Sequence, residues 1–403
     1  MIAQKKKKTK KWTTPRHQVI RIVLYPLITF LIWILYGFKV TKFKEENDRQ
    51  YLVLANHQTG FDQFYPSAAF RRPIYYVASE DIFSMGFLSK VIIWLQNPIP
   101  IKKQVTDIRA VMNCMKVAKE GGNIGIFPEG NRTFSGETAY INPAIGGLAK
   151  KLGLPIALFK IEGGYGVQPR WSDIRRKGPM KAYVSAVLEP EEYQNWTNEE
   201  LYQYICKALY QNEANAEGSY PHKNSAQYME RLLYVCPHCG ITHFESHGDT
   251  VECMTCRRKA KYLPTKEFSG DFPFRFMLDW YTYQQNYVNS LDTLSMTQKP
   301  VAEECCKIFG VELYKGKKLL GEDVALSLYG DRLEMCGSFN KVFSFADTSA
   351  ITILGKNKLN IYYEDNVYQI QGDKRFNAVK YLNLFHRYKN LTAKGQNENF
   401  LGL

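Results

Sequence analysis

Tyr51-Leu52-Val53-Leu54-Ala55-Asn56-His57-Gln58-Thr59-Gly60-Phe61-Asp62 decides how the first half of this chain folds. Tyr51–Ala55 is an unbroken apolar run, which reads as a strand buried on both faces. The polar residues after it read as a loop at the strand's end, the place where α/β folds build their sites. His57 and Asp62 are five residues apart. On one continuous helix that spacing is roughly 140° of rotation, and the two side chains cannot meet. They meet if His57 stays in the loop and Asp62 falls in the first turn of a following helix, an end that favours a carboxylate. One ring nitrogen then bonds Asp62, and the other is free to take a proton from a hydroxyl.

Working outward, apolar runs alternate with helical patterns. Tyr51–Ala55, Ile74–Ala78, Asn123–Phe127, Pro155–Ile161 and Ala182–Val187 read as strands. Asp107–Lys119 puts Ile108, Val111, Met112 and Met115 on one helical face. Ala144–Leu152 reads as a helix stopped by Gly153 and Pro155, and Thr197–Asn212 opens with a capping-box pattern. This alternation predicts an α/β domain over 46–215.

A second block, Ile126-Phe127-Pro128-Glu129-Gly130-Asn131-Arg132-Thr133, also ends a buried strand. Gly130 lets the backbone approach a ligand closely, and Arg132 can grip a phosphate in a two-pronged fork. Either block alone is an ordinary turn; their joint occurrence in this order points to a site. No GxSxG elbow is present, which disfavours a serine hydrolase.

Here the chain resembles the PlsC-type glycerolipid acyltransferases, the 1-acylglycerol-3-phosphate acyltransferase family. Asn56-His57-Gln58-Thr59-Gly60-Phe61-Asp62 matches the family's first block, with Thr59 where Ser is usual. Ile99-Pro100-Ile101-Lys102-Lys103 falls where the family has a short strand and an Arg. Phe127–Thr133 matches the FPEGxRS-like block, and Gly153–Leu158 the last apolar one. The resemblance spans roughly residues 20–210. It implies transfer of a fatty acyl group from acyl-CoA or acyl carrier protein to a lysophospholipid hydroxyl, 1-acylglycerol 3-phosphate giving phosphatidic acid. His57 is then the general base and Asp62 its orienting partner, with no catalytic cofactor. Glu129, Gly130, Arg132 and Thr133 shape the acceptor pocket, and Lys102 or Lys103 joins Arg132 in neutralising the phosphate.

The net charge of +14 is local. Residues 1–44 hold eleven Lys and Arg and no acidic residue, leaving 42 basic against 39 acidic residues in the remainder. Such an arm suits an anionic membrane or nucleic acid. Ile22–Phe38 follows, uncharged and mostly apolar, with Lys on its far side as well. Positive charge on both flanks fits an interface-embedded segment as well as a spanning one. The expectation over 1–45 is therefore a membrane-associated segment, with the site facing the cytoplasm and nucleic acid disfavoured.

Cys236-Pro237-His238-Cys239 and Cys253-Met254-Thr255-Cys256 are two CxxC knuckles. Four thiolates make a closed tetrahedral set, which predicts a small structural zinc ribbon within 216–266, after a polar linker at 213–230. From about Val311, short strand-like runs separated by turns, then a helix over Phe376–Tyr388, predict a β-rich PH- or GRAM-like module within 267–403. A catalytically inactive lipid-binding scaffold is the alternative function.

Overall fold

The computed structural model describes residues 11–46, 48–79, 82–83, 86–101, 107–312 and 316–393. The expected anion-binding residues Lys102 and Lys103 lie outside them.

Helix α1 (Pro15–Tyr36) leads through β1 (Lys39–Val40) to β2 (Leu52–Ala55), α2 (Phe64–Ala69), β3 (Ile74–Ser79), α3 (Phe87–Gln96) and β4 (Ile99–Ile101). Then come α4 (Ile108–Lys119), β5 (Asn123–Ile126), α5 (Ala144–Leu152), β6 (Ile156–Glu162) and α6 (Gly164–Val167). Strand β7 (Lys181–Leu188) and helices α7 (Pro190–Tyr193) and α8 (Asn198–Leu209) complete this half. The strands form one sheet in the order β1-β7-β6-β2-β5-β3-β4. From β6 to β4 the pairs are parallel, and β7 runs antiparallel to β6. Strand β2 is central and wholly buried. Leu52 and Leu54 enter the core on one face, Val53 and Ala55 the core on the other, which is why its sequence shows no polar alternation.

The local signals translate directly. Asp107 caps α4 by accepting from the amides of Arg109 and Ala110. Thr197 and Glu200 form both halves of a capping box on α8. Gly153 ends α5 in the left-handed conformation, φ 60°.

Helix α1 begins seven residues before the apolar run, with Pro15 in its first turn. It is the one described helix long and apolar enough to cross a membrane. It lies along the α/β domain, burying His17, Ile20, Tyr25, Ile32 and Tyr36. Both ends are tied to that domain. The amides of Trp12 and Thr13, just before the helix, donate to the Glu120 carboxylate (2.7 and 2.8 Å), and Tyr36 at the far end donates to Gln168 (3.4 Å).

The polar stretch 213–230 is packed rather than exposed: Ala214, Tyr220, Ala226 and Met229 are buried. Its polar groups are used internally. Glu213 accepts from the Gly163 amide, and Ser225 donates to the Tyr262 carbonyl. Composition alone cannot distinguish a satisfied buried polar group from a solvated one.

The cysteine module contains β8 (Val235–Cys236), β9 (Gly240–Ile241), β10 (Phe244–His247), β11 (Thr250–Cys253), β12 (Lys259–Tyr262) and β13 (Phe268–Gly270). Helix α9 (Met277–Ser290) follows; its buried Trp280 is ringed by Phe244, Phe268, Phe272 and Phe274. The last module has β14 (Ala302–Glu312), β15 (Gly316–Leu328), β16 (Arg332–Cys336), β17 (Lys341–Ser344), β18 (Thr348–Leu354), β19 (Lys358–Tyr363) and β20 (Asn366–Gln371). They form an antiparallel sheet in the order β17-β16-β15-β14-β20-β19-β18, closed by α10 (Ala378–Thr392). The β-rich module with a closing helix is thus present. Strand β14 and the first half of β15 were not legible because little of either is buried, only Cys306 and Ile308 in β14 and Gly321 in the first half of β15, so their apolar residues show no clean alternation. One apolar core runs through the cysteine module, α9, this sheet and α10, and takes in Phe134 and Trp171 from the α/β half.

Candidate active site

The site forms where β2 and β5 end side by side. His57 lies in the loop after β2, and Asp62 in the turn two residues before α2, so the two approach across a loop-to-helix junction. His57 Nδ1 lies 2.8 Å from Asp62 Oδ2. Asp62 is fully buried and also accepts from the Gln58 amide (2.5 Å), the Thr59 amide (2.9 Å) and the Thr59 hydroxyl (2.5 Å). These donors fix the carboxylate before it touches the imidazole. Thr59 supplies the hydroxyl that this requires.

The His57 side chain is 21% exposed and stacks on Phe127, ring centres 4.6 Å apart. Its Nε2 makes no hydrogen bond among the described residues. Burial lowers the His57 pKa below the ordinary imidazole value; the Asp62 hydrogen bond opposes this, while Arg132 and Arg170 reinforce it. The ring is therefore neutral at neutral pH. With Nδ1–H bonded to Asp62, Nε2 presents a lone pair, as a general base requires.

The second block holds this loop from both sides. Glu129 Oε1 accepts from the His57 amide (2.7 Å), and Oε2 from the Ala139 amide (2.8 Å). The Thr133 amide donates to the His57 carbonyl (3.1 Å), and Thr133 Oγ1 accepts from the Gly136 amide (3.0 Å). Glu129 and Thr133 thus brace His57 through its backbone. Burial pushes the Glu129 carboxyl up to about 8 despite its two amide donors. Gly130 makes the turn with φ +67°, and the space where a Cβ would sit is open.

Arg132 supplies the charge. Its guanidinium makes no hydrogen bond or ion pair among the described residues, yet it lies close enough to Asp62, Tyr36 and His57 to interact electrostatically. Behind it sits Arg170, which the sequence reading missed. Arg170 donates to the Arg132 carbonyl (2.8 Å) and its guanidinium lies 4.0 Å from the Phe134 ring centre. Nothing in the local sequence marks it, since its partners are carbonyls distant in the chain. Tyr36, the last residue of α1, packs on Phe61 beside the junction (5.2 Å) with Arg175 over its ring.

The four expected metal-ligating cysteines converge far from His57 in sequence. The Sγ atoms of Cys236, Cys239, Cys253 and Cys256 all lie within 4.8 Å of one another. Cys236–Cys256 and Cys239–Cys253 are 3.8 and 4.0 Å apart, close to the roughly 3.8 Å edge of a tetrahedron with Zn–S bonds of about 2.3 Å.

Residues 38–159, which contain His57, Asp62 and the Glu129–Thr133 block, match the family model described as Acyltransferase. A 1-acyl-sn-glycerol-3-phosphate acyltransferase of Borreliella burgdorferi is 26% identical over 145 residues, 34% of this chain and 58% of that protein. The chain thus matches somewhat over half the length of that relative. The crystal structure of the 1-acyl-sn-glycerophosphate (LPA) acyltransferase PlsC from Thermotoga maritima is similar at TM-score 0.38 and 19% identity, covering 48% of this chain and 75% of its own.

Proposed function

We propose that this chain, whose residues 38–159 carry a PlsC-type acyltransferase domain, transfers a fatty acyl group to the free hydroxyl of a lysophospholipid. 1-Acylglycerol 3-phosphate is the acceptor, and phosphatidic acid the product. The observation that carries the reading is a His57 whose Nε2 is bare among the described residues and whose other nitrogen is held by a fully buried Asp62, beside an Arg132 that has no hydrogen-bond or ion-pair partner among the described residues. His57 removes the proton of the acceptor hydroxyl as its oxygen attacks the thioester carbonyl of acyl-CoA or acyl carrier protein. The C–S bond breaks and the thiolate leaves. Asp62 holds the ring and stabilises the imidazolium that forms. Arg132 binds the acceptor's phosphate in a fork.

The same reading places the protein on a membrane at its cytoplasmic face, where thiols stay reduced. Two features support an in-plane seat. Helix α1 is tied to one body at both ends, while Val23, Leu27, Phe30, Ile34 and Leu35 on its outer side are exposed. Helix α3 is apolar along most of its length yet buries only Ser89, leaving Phe87 81% and Trp94 51% exposed. At ten residues α3 is about 15 Å long, too short to span a bilayer core of about 30 Å. The cysteine cluster holds a structural zinc ion, and the sheet closed by α10 is a PH- or GRAM-like module.

The test is product analysis by mass spectrometry with purified protein in anionic vesicles, offered a panel of lysophospholipids with acyl-CoA and acyl carrier protein donors. Phosphatidic acid formed from 1-acylglycerol 3-phosphate supports the reading. No acylated product from any pair would leave the scaffold alternative.

A further inference from the structure

The turn between β18 and β19, Gly355-Lys356-Asn357, belongs to the C-terminal module yet reaches the back of the acyltransferase site. Arg170 joins the two. It is only 4% exposed and donates to three carbonyls: Arg132 (2.8 Å), Gly355 (2.8 Å) and Ile353 (3.2 Å). Lys356 secures the same turn, donating to the Ser172 carbonyl (2.6 Å) and to Asp173 (2.7 Å). Asp173 in turn receives both prongs of Arg231 (2.8 and 3.1 Å).

The charges around this junction do not balance. Asp173 serves Lys356 and Arg231. Arg170 has only carbonyl oxygens, and Arg132 has no ion-pair partner among the described residues. Burying the Arg170 guanidinium without a counter-ion is costly, and Arg132 beside it is only partly buried, with Asp62, already held by His57 and Thr59, as the nearby carboxylate, so the pair gains from an incoming anion. The carbonyl held by Arg170 belongs to Arg132 itself, so the residue whose charge reaches His57 has its backbone tied through Arg170 to the C-terminal module.

We propose that Arg170 and the β18–β19 turn are a positioning device for the acceptor's phosphate: they hold Arg132 where it binds that group, and so make the C-terminal module part of the acceptor site. The inference rests on the acyltransferase reading but concerns residues outside the matched segment 38–159.

The full-length protein is tested in vesicles with a saturating acyl donor and varied 1-acylglycerol 3-phosphate, comparing wild type, Arg170→Lys, Arg170→Met and Lys356→Ala. Charged hydrogen bonds are worth about 1.5–3 kcal/mol, so Arg170→Met is expected to raise the acceptor KM about tenfold or more. Arg170→Lys falls between it and wild type, because Lys keeps the charge but not the fork. Lys356→Ala gives a smaller rise. In each variant kcat and donor KM stay within about threefold of wild type. Acceptor KM unchanged in both Arg170 variants overturns the inference, as does loss of kcat with acceptor KM unchanged. If Arg170→Met fails to fold, Arg170→Lys and Lys356→Ala decide. His57-dependent turnover combined with an unmoved acceptor KM defeats this inference alone; absence of turnover in wild type defeats the reading beneath it.

Discussion

As the proposed general base, His57 must be neutral to act, and burial holds its pKa below the ordinary imidazole value of about 6.5. The expected kcat/KM therefore rises with pH through a midpoint below that value and levels off above it. Asp62 raises the His57 pKa, so Asp62→Asn should move the acid limb to still lower pH while cutting the plateau rate by about 10²- to 10⁴-fold. An acid limb that moves upward in Asp62→Asn would contradict the pairing. Glu129 poses a sharper question, because the family resemblance places it at the acceptor whereas its carboxylate touches two backbone amides. Glu129→Gln keeps one acceptor oxygen and turns an NH₂ toward the other amide, so the His57 loop shifts. The expected result is a fall in kcat with acceptor KM little changed; the reverse pattern would return Glu129 to the acceptor. Much of this site was legible beforehand. The five-residue spacing of His57 and Asp62 demanded a loop that brings them together ahead of a helix; the structure has that loop, with Asp62 in the turn before α2 rather than in its first helical turn. Arg170 was not legible, because what it binds is set by tertiary packing.

At the scale of elements, α1 and α3 differ in how plainly the sequence announced them. Helix α1 declared itself by its apolar run, though its first turns, with His17 buried against Tyr75, are polar and went unread. Helix α3 was missed because a short apolar stretch does not separate strand from helix by periodicity. Its place in the proposed membrane seat rests on burial: among the described residues this ten-residue helix buries only a serine, which leaves its apolar side chains free to enter another apolar phase. The double variant Phe87→Ser, Trp94→Ser should weaken co-sedimentation with anionic vesicles by about tenfold or more, since burying each such side chain is worth about 1.5–3 kcal/mol. Turnover on detergent-dispersed acceptor should be unchanged. Vesicle binding equal to wild type would remove α3 from the membrane seat.

Across the whole molecule, the cysteine cluster and the shared core matter more than the modular reading of the sequence suggested. Alternating apolar runs revealed the α/β half, whereas the polar 213–230 stretch concealed buried residues among exposed ones, because Glu213 and Ser225 are spent on internal hydrogen bonds. Since one apolar core joins the cysteine module, α9 and the C-terminal sheet, loss of the proposed zinc should destabilise all three together. Metal analysis should find about one zinc per chain, and Cys236→Ser should lower both zinc content and Tm. Full stability in zinc-free protein would contradict a structural role. Through Phe134 and Trp171 that core also reaches the α/β half, so damage there should extend to the candidate site around His57. The claim on which the rest depends is that His57 removes the acceptor's proton. It is tested most directly by the initial rate of phosphatidic acid formation from acyl donor and 1-acylglycerol 3-phosphate, for wild type and His57→Ala in the same vesicles, with circular dichroism confirming that both are folded. A drop of about 10²-fold or more in folded His57→Ala is the predicted result; a rate equal to wild type would contradict it.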